Sequence, residues 1–366
     1  MPNTKPYISF DDLGVCNACL AHNRKNTARE GIDWSARATE FEELIAWAKG
    51  QRAPFYDALV PVSGGKDSIT QVHRLLGHEL RILAVNVDYG VKTEIGRRNL
   101  DCIAEMGANL IIFRPEMGVH RKLIRIGLED FGDPDLLSHT LLHAYPLHVA
   151  LRFGIPLVAL GENSAFEYGG ETGLSERSSI SRSWFDIYAA NSGNTAKKIG
   201  DAYKLPLEPL WQYDYPDELD RSSKTKAVFL SYFYHWSSEE HLKIAKGYGF
   251  RELSEPTEGT YRTYVGIDEM INRIHQYQKV LKFGYGRATA HACEDIRNGL
   301  LDREEAKRLI KKYDLQPLGK EYVSEVSEFL GYTETEFKNI VDSSRNQSLW
   351  KQNDVGDWFI PGYLEE

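Results

Sequence analysis

Four short apolar runs recur between residues 58 and 163, each separated from the next by a stretch of helical character, and this alternation narrows the folds open to the chain more than any other feature. The runs are ALVPV (58–62), ILAVNVD (82–88), LIIFRP (110–115) and LVALGEN (157–163). Each is nearly continuous in apolar residues, the pattern of strands covered on both faces. Between the first two, Ile69, Val72, Leu75 and Leu76 recur at helical spacing, and Ile95, Leu100, Ile103, Ala104 and Gly107 form one face of a second helix. A β-α-β alternation of these lengths predicts an α/β fold, a parallel twisted sheet flanked by helices. Pro146, inside the helical stretch 135–154, predicts a kink or a break there.

The flanking sequence divides the chain further. WSARATEFEELIAWAKG (34–50) reads as a helix with Phe41, Leu44, Ile45 and Ala48 on one face. Residues 164–226, rich in Gly, Ser, Tyr and Pro and weakly periodic, read as loops lining a site. From Ala227 onward the pattern is helical, with Ile267, Met270, Ile271, Ile274, Gln278 and Leu281 in one helix and further helices over 304–313 and 320–330. The expected organisation is an N-terminal segment with a C-x2-C pair (1–30), an α/β domain (31–226) and a mostly helical C-terminal region (227–366). A length of 366 residues with 42% hydrophobic content suits two such units. No apolar run reaches the roughly 20 residues of a membrane span and the N-terminus lacks a signal-peptide pattern, so a cytoplasmic protein is expected, with no membrane partner. The net charge of −9 speaks against a surface for tracking nucleic acid and requires any anionic substrate to be met locally.

The chemistry concentrates where the first strand ends. Ser63-Gly64-Gly65-Lys66-Asp67-Ser68 joins a buried strand to an amphipathic helix, placing unpaired N–H groups and a partial positive charge around one small concavity. The glycines permit close approach, the serines add hydroxyl donors and Lys66 adds a cation. Asp67 beside a bound phosphate is repulsive unless Mg²⁺ lies between them. The spacing is not that of the common phosphate loop, which ends in Gly-Lys-Ser/Thr after four intervening residues. A plain strand-to-helix turn is the alternative.

SGGKDS resembles the pyrophosphate loop of the N-type ATP pyrophosphatases (the PP-loop superfamily), enzymes that cleave ATP between the α- and β-phosphates to adenylate a substrate oxygen. The resemblance implies that Ser63, Gly64, Gly65, Lys66, Asp67 and Ser68 hold the pyrophosphate end of ATP, with Lys66 and Asp67 catalytic and Asp67 a Mg²⁺ ligand. It also implies that Val85, Val87 and Asp88 pass beside the adenosine. GENSAFEYGG (161–170) follows the fourth strand, and in NAD synthetases of this superfamily a glycine is followed six residues later by a metal-binding glutamate. By that resemblance Gly161 belongs to the ATP site and Glu167 is a second Mg²⁺ ligand, with Glu162 its competitor.

Further segments narrow the resemblance. ISFDDLGVCNAC (8–19), IDW (32–34), FLSYFYHW (229–236), KFGYGRATAHACEDIRNG (282–299) and REEAKRLIKKYD (303–314) together are similar to the N-acetyl sugar amidotransferases of surface-polysaccharide and lipopolysaccharide O-antigen biosynthesis. Such enzymes are thought to convert an acetamido group of a nucleotide-linked sugar into an acetamidino group, with ammonia supplied by a partner glutaminase subunit and its cyclase-like companion. The chain itself offers no glutaminase arrangement: Cys16 lies in a C-x2-C pair and Pro2 follows Met1. Glu162, Tyr168, Gly169, Gly170 and Arg287 are the candidates for contacting the sugar, although 167–173 could equally serve as a lid. Lys282, Arg287, His291 and Arg297 either meet the sugar diphosphate or form an ordinary solvated surface. Cys16 and Cys19 have the spacing of half a zinc site, completed by His22 or Cys293, or are two unligated thiols. Cys102 reads as core. Two rival readings remain at this point. One is tRNA thiolation, where the same loop occurs; the other is a nucleotide-binding scaffold without catalysis.

Overall fold

The computed structural model describes the chain except residues 27–30, 168–172, 174–175, 191–192 and 365–366, and it leaves out the side chains of 24–26. Five strands form one parallel sheet in the order β3-β2-β1-β4-β5: β1 (Ala58–Pro61), β2 (Ile82–Val87), β3 (Asn109–Phe113), β4 (Leu157–Leu160) and β5 (Lys226–Phe229). The α/β expectation holds. Helix α1 (Asn17–Asn26) and α2 (Trp34–Gly50) precede the sheet. The connections carry α3 (Lys66–Leu76), α4 (Glu94–Glu105), α5 (Met117–Phe131), α6 (Leu136–Phe153) and α7 (Ala196–Tyr203).

Even-numbered sheet residues such as Ala58, Val60, Ile82 and Ala84 pack against Phe41 and Ile45 of α2, Ile69, Val72 and Leu75 of α3, and Leu100 and Ile103 of α4. On the other face Leu59, Leu83, Val85 and, from β4, Val158 pack against Leu147 and Ala150 of α6. The period of two along each strand thus feeds two cores, one per face. Strand β3 departs from this pattern: it is an edge strand with Ile112 exposed, so only one of its sides is paired. Helix α6 runs through Pro146 without a break, and Pro146 is itself buried.

Among the described residues of 164–226, where composition predicted site-lining loops, several form core instead. Trp184, Phe185, Tyr213 and Tyr215 are fully buried there, the first two around a π-helical turn (Phe185–Ala189) and Tyr213 at the end of a 3-10 helix (Glu208–Tyr213). The residue-226 boundary falls at the start of β5. Beyond it, α8 (Ser238–Gly247) lies along α3, and Ala245 joins the core beneath it. The C-terminal helices α9 (Ile271–Phe283), α10 (Arg287–Arg297), α11 (Arg303–Tyr313), α12 (Lys320–Leu330) and α13 (Glu334–Ser343) follow, then a short antiparallel pair β6 (Lys351–Gln352) and β7 (Trp358–Phe359). Helices α9, α12 and α13 share a core with α5 through Ile271, Ile274, Val326, Phe337 and Leu128. Ahead of α9, the segment 267–270 docks on the loop after β2, where Thr93 N donates to Asp268 O (3.1 Å) and Met270 N to Val91 O (3.2 Å). That contact brings the C-terminal region to the carboxyl ends of the strands. Among the described residues, no helix is long and apolar enough to cross a membrane.

Candidate functional site

The strand order reverses between β1 and β4, and in open parallel sheets ligands bind at the carboxyl ends of the strands at such a point. The turn after β1 is Ser63–Ser68; the turn after β4 begins at Gly161. Ser63 N donates to Ser68 Oγ (3.0 Å) and Gly65 N to Ser63 Oγ (3.1 Å), so both hydroxyls shape the turn. The N–H groups of the first α3 turn have no acceptor in their own helix, which is what makes such a turn receptive to an anion. Gly64 is required by its surroundings: its φ is +95°, and a Cβ would stand 2.9 Å from Gly96 O of α4. Gly96 in turn lies so close to the Asp268 backbone that a Cβ would meet it at 2.3 Å. Turn, α4 and C-terminal region are stacked backbone to backbone.

Asp67 is held from two sides. Lys66 Nζ donates to its Oδ2 at 2.6 Å, and His241 Nδ1 of α8 donates to its Oδ1 at 2.7 Å. An ionised carboxylate only accepts, so Nδ1 carries the proton. His241 is 0% exposed and edge-on to Trp236. Burial works to raise the Asp67 pKa, but the Lys66 and His241 contacts outweigh it and hold the carboxyl well below the ordinary range. Glu162 shows the opposite behaviour: burial, with the Asp67 charge second and Glu167 adding to it, pushes it up to about 7. Glu162 is therefore the electrostatic neighbour of both Asp67 and Glu167, whose negative charges oppose its ionisation.

That donor set bears on a metal. Magnesium takes one or two carboxylates and completes its shell with water and phosphate oxygens, and mutually repelling carboxylates are what a divalent cation relieves. Asp67 with Glu162 is a pair of that kind. Among the described residues, no three His, Cys, Asp or Glu side chains are gathered as a self-sufficient metal cage. This holds at Cys16 and Cys19 as well. Burial opposes ionisation of both thiols; hydrogen bonds from Cys19 nonetheless lower Cys16, while burial and the same contact raise Cys19. Cys102 is buried on α4, as expected.

The other candidate residues are distributed around this centre. Val85 and Val87 are core side chains, and Asp88 is tied to Arg114 and accepts from Gly90 N (2.8 Å), so β2 contributes a closed wall. Gly161 is a close-packing position, since a Cβ would stand 2.7 Å from Gln71 Nε2. Tyr168, Gly169 and Gly170 lie outside the described residues. Lys282 turns to the end of α5, donating to Phe131 O at 2.9 Å. Arg287 donates to Asn272, and with Arg262, Lys279 and Lys66 it adds to burial in holding His291 well below the usual histidine range. Arg287 thus shares one electrostatic neighbourhood with Lys66.

Sequence reasoning missed His241, Tyr264 and Arg262. Tyr264 places its ring 5.8 Å from Lys66 Nζ, and Arg262 binds Glu294 and Asp295 behind it. Nothing local marks His241, which stands 174 positions from Asp67; only the TYRTYVG run around Tyr264, next to a lone Arg, hinted at a buried polar cluster.

Fold and site together define an α/β, Rossmann-like protein with a two-glycine strand-to-helix turn at its switch point. Residues 258–361 match the family described as LPS biosynthesis protein WbpG-like, C-terminal domain. The C-terminal region, which supplies Tyr264, Arg262 and α10 to the site, is therefore related to proteins of lipopolysaccharide biosynthesis. Among curated proteins, none matches the chain.

Proposed function

We propose that the protein is an ATP-dependent amidotransferase of lipopolysaccharide biosynthesis, converting an acetamido group of a nucleotide-linked sugar into an acetamidino group. An amide carbonyl is a poor electrophile because its nitrogen donates into it. Transfer of AMP from ATP to the amide oxygen breaks the α–β phosphate bond, releases pyrophosphate and turns that oxygen into a leaving group. Ammonia then adds at the carbon, and AMP departs with the original oxygen. A partner glutaminase supplies the ammonia.

The chain's own residues position and stabilise. The α3 N–H groups, Ser63 and Ser68 bind the pyrophosphate end of ATP, and Lys66 meets the charge that grows on it as it leaves. His241 fixes the Asp67 carboxylate. Magnesium, held by Asp67 with Glu167 or Glu162, supplies charge neutralisation to the phosphates when bound. The observation that carries the reading is the meeting at the β1/β4 switch point: Lys66 and Asp67 on one turn, Glu162 on the next, and beside them a region related to lipopolysaccharide biosynthesis.

The test is incubation with ATP, Mg²⁺, an ammonium salt and a panel of nucleotide-linked acetamido and diacetamido sugars. The expected product is lighter than its substrate by about one mass unit, as oxygen is exchanged for NH, with one AMP formed per product. Asp67→Asn is expected to abolish AMP release with the fold intact. Unchanged turnover in that variant, or AMP formation that depends on tRNA instead of sugar, overturns the proposal.

A further inference from the structure

A polar cavity of about 350 Å³ opens between the N-terminus of α8 and helix α10, walled by Ser237, Ser238, Arg262, Tyr264, Glu294 and Asn298 among others. A larger cavity of about 560 Å³ lies over α5, where Arg121, Lys122 and Arg125 alternate with Glu129 and Asp130. Neither cavity is lined by the Ser63–Ser68 turn itself, and what separates them is Tyr264, which walls the smaller one. Tyr264 is a common wall between the smaller cavity and the turn, its ring 5.8 Å from Lys66 Nζ. Ser237 caps α8, and one turn further along that helix His241 reaches Asp67.

The floor of this cavity is built in advance. Arg262 donates to Glu294 Oε2 (2.9 Å) and to Asp295 Oδ1 (2.6 Å), Tyr261 donates to the other oxygen of Asp295, and Arg262 and Asp295 are only 8% and 7% exposed. This pairing spends the arginine and leaves Glu294, on a half-exposed side chain, with a second oxygen available to a ligand. Hydroxyl, amide and carboxylate groups around a phenol ring are the chemistry that recognises a sugar, through its hydroxyls and its ring face; three carboxylates (Glu239, Glu294 and Asp295) against Arg262 and Arg297 leave the lining without the net positive charge a phosphate needs. Arg262, Tyr264, Glu294 and Asn298 all fall within the residues related to lipopolysaccharide biosynthesis. The part of the wall that lies beside Lys66, Tyr264, thus belongs to the matched segment.

We propose that this cavity is the acceptor subsite, holding the sugar ring of a nucleotide-linked acetamido sugar with its acetamido group directed past Tyr264 toward the Ser63–Ser68 turn. The inference rests on the functional reading above and adds to it the place and the part of the substrate recognised. Ligand pockets run from about 300 to 1,000 Å³, so this one sits at the small end. It admits one glycosyl ring and leaves the nucleotide outside.

The experiment uses the full chain and UDP-N-acetylglucosamine with a panel of nucleotide-linked diacetamido sugars as probes, read by calorimetry and saturation-transfer NMR. Asn298→Trp fills the cavity from an exposed rim position, and Glu294→Gln removes the free carboxylate charge while keeping its shape. Both are expected to weaken sugar binding about tenfold or more, with saturation strongest on the sugar protons and the shift in melting temperature caused by Mg²⁺ and ATP unchanged. Wild-type affinity in both variants, equal binding of UDP alone, or no binding by any sugar overturns the proposal. Sugar bound here without AMP formation would remove the functional reading and leave the subsite; AMP formation untouched by Asn298→Trp would do the reverse.

Discussion

His241 Nδ1 lies 2.7 Å from Asp67 Oδ1, a contact between helices α8 and α3 that spans 174 positions of sequence. Because His241 is buried while Lys66 grips the other oxygen, the carboxylate has one orientation before any ligand arrives. Partners that orient a metal-binding carboxylate are worth about 10- to 100-fold in metal affinity or activity. His241→Leu is expected to lower AMP formation and raise the Mg²⁺ requirement by that factor. His241→Asn, which keeps a donor near the Nδ1 position, is expected to recover most of both. Magnesium titrations of the two variants, alongside their melting temperatures, check this; equal loss in both would reduce the contact to packing.

Gly64 tests the turn by stability alone. Its positive φ costs any L side chain strain, and the α4 backbone 2.9 Å from a Cβ cannot move aside as a flexible side chain would. Gly64→Ala is expected to destabilise the fold by about 2–4 kcal/mol. Urea unfolding gives the number. A neutral substitution would mean that turn and α4 separate easily, which the Gly96–Asp268 stack argues against.

Much of this architecture is legible in the residues themselves, and the parts that are not have identifiable reasons. Strands β1, β2 and β4 announce themselves because burial on both faces leaves nearly continuous apolar runs, with Asn86 the one polar residue in β2. Strand β5 is four residues long, begins with exposed Lys226 and follows a polar stretch, so it has no comparable signal. Trp184, Phe185 and Tyr215 join one core and Tyr213 another, but a π-turn and a 3-10 helix present them at no single period, and Gly, Ser and Pro around them read as loop. Helix α6 tolerates Pro146 although the ring removes a hydrogen bond, which local pattern alone cannot foresee. In the site, Ser63–Ser68 is contiguous and therefore readable. His241, Tyr264 and Arg262 enter by tertiary contact from far along the chain.

Acid stability provides a test away from the site. His120 is fully buried between Tyr213 (2.9 Å) and Ser138 (3.4 Å), and burial lowers its pKa to about 4. The neutral ring is the one the fold accepts, so the unfolded chain binds the proton more tightly. Its contribution is complete above about pH 6.5 and is lost as pH falls toward 4, a change of about 3 kcal/mol. Unfolding free energies measured between pH 7 and 4.5 are expected to decline along that limb. His120→Asn, keeping a polar atom near Tyr213, is expected to make the decline shallower, with His143 and His291, also lowered by burial, carrying the rest.

The Arg262 cluster distinguishes scaffold from ligand contact within the C-terminal region. Arg262 is paired to Glu294 and Asp295, and Asp295 also accepts from Tyr261, all behind Tyr264. Removing one member of a buried pair leaves its partner charged and unsatisfied, at about 3–5 kcal/mol. Arg262→Ala is expected to cost that much in denaturant unfolding, because two carboxylates lose their cation together. Replacing Asp295 as well, in Arg262→Met with Asp295→Asn, is expected to restore part of the loss, since the stranded charge goes with it. A double variant no more stable than the single one would place the cost in packing instead of electrostatics. The cavity wall would then owe its shape to side-chain volume, and binding at Glu294 would survive the loss of Arg262.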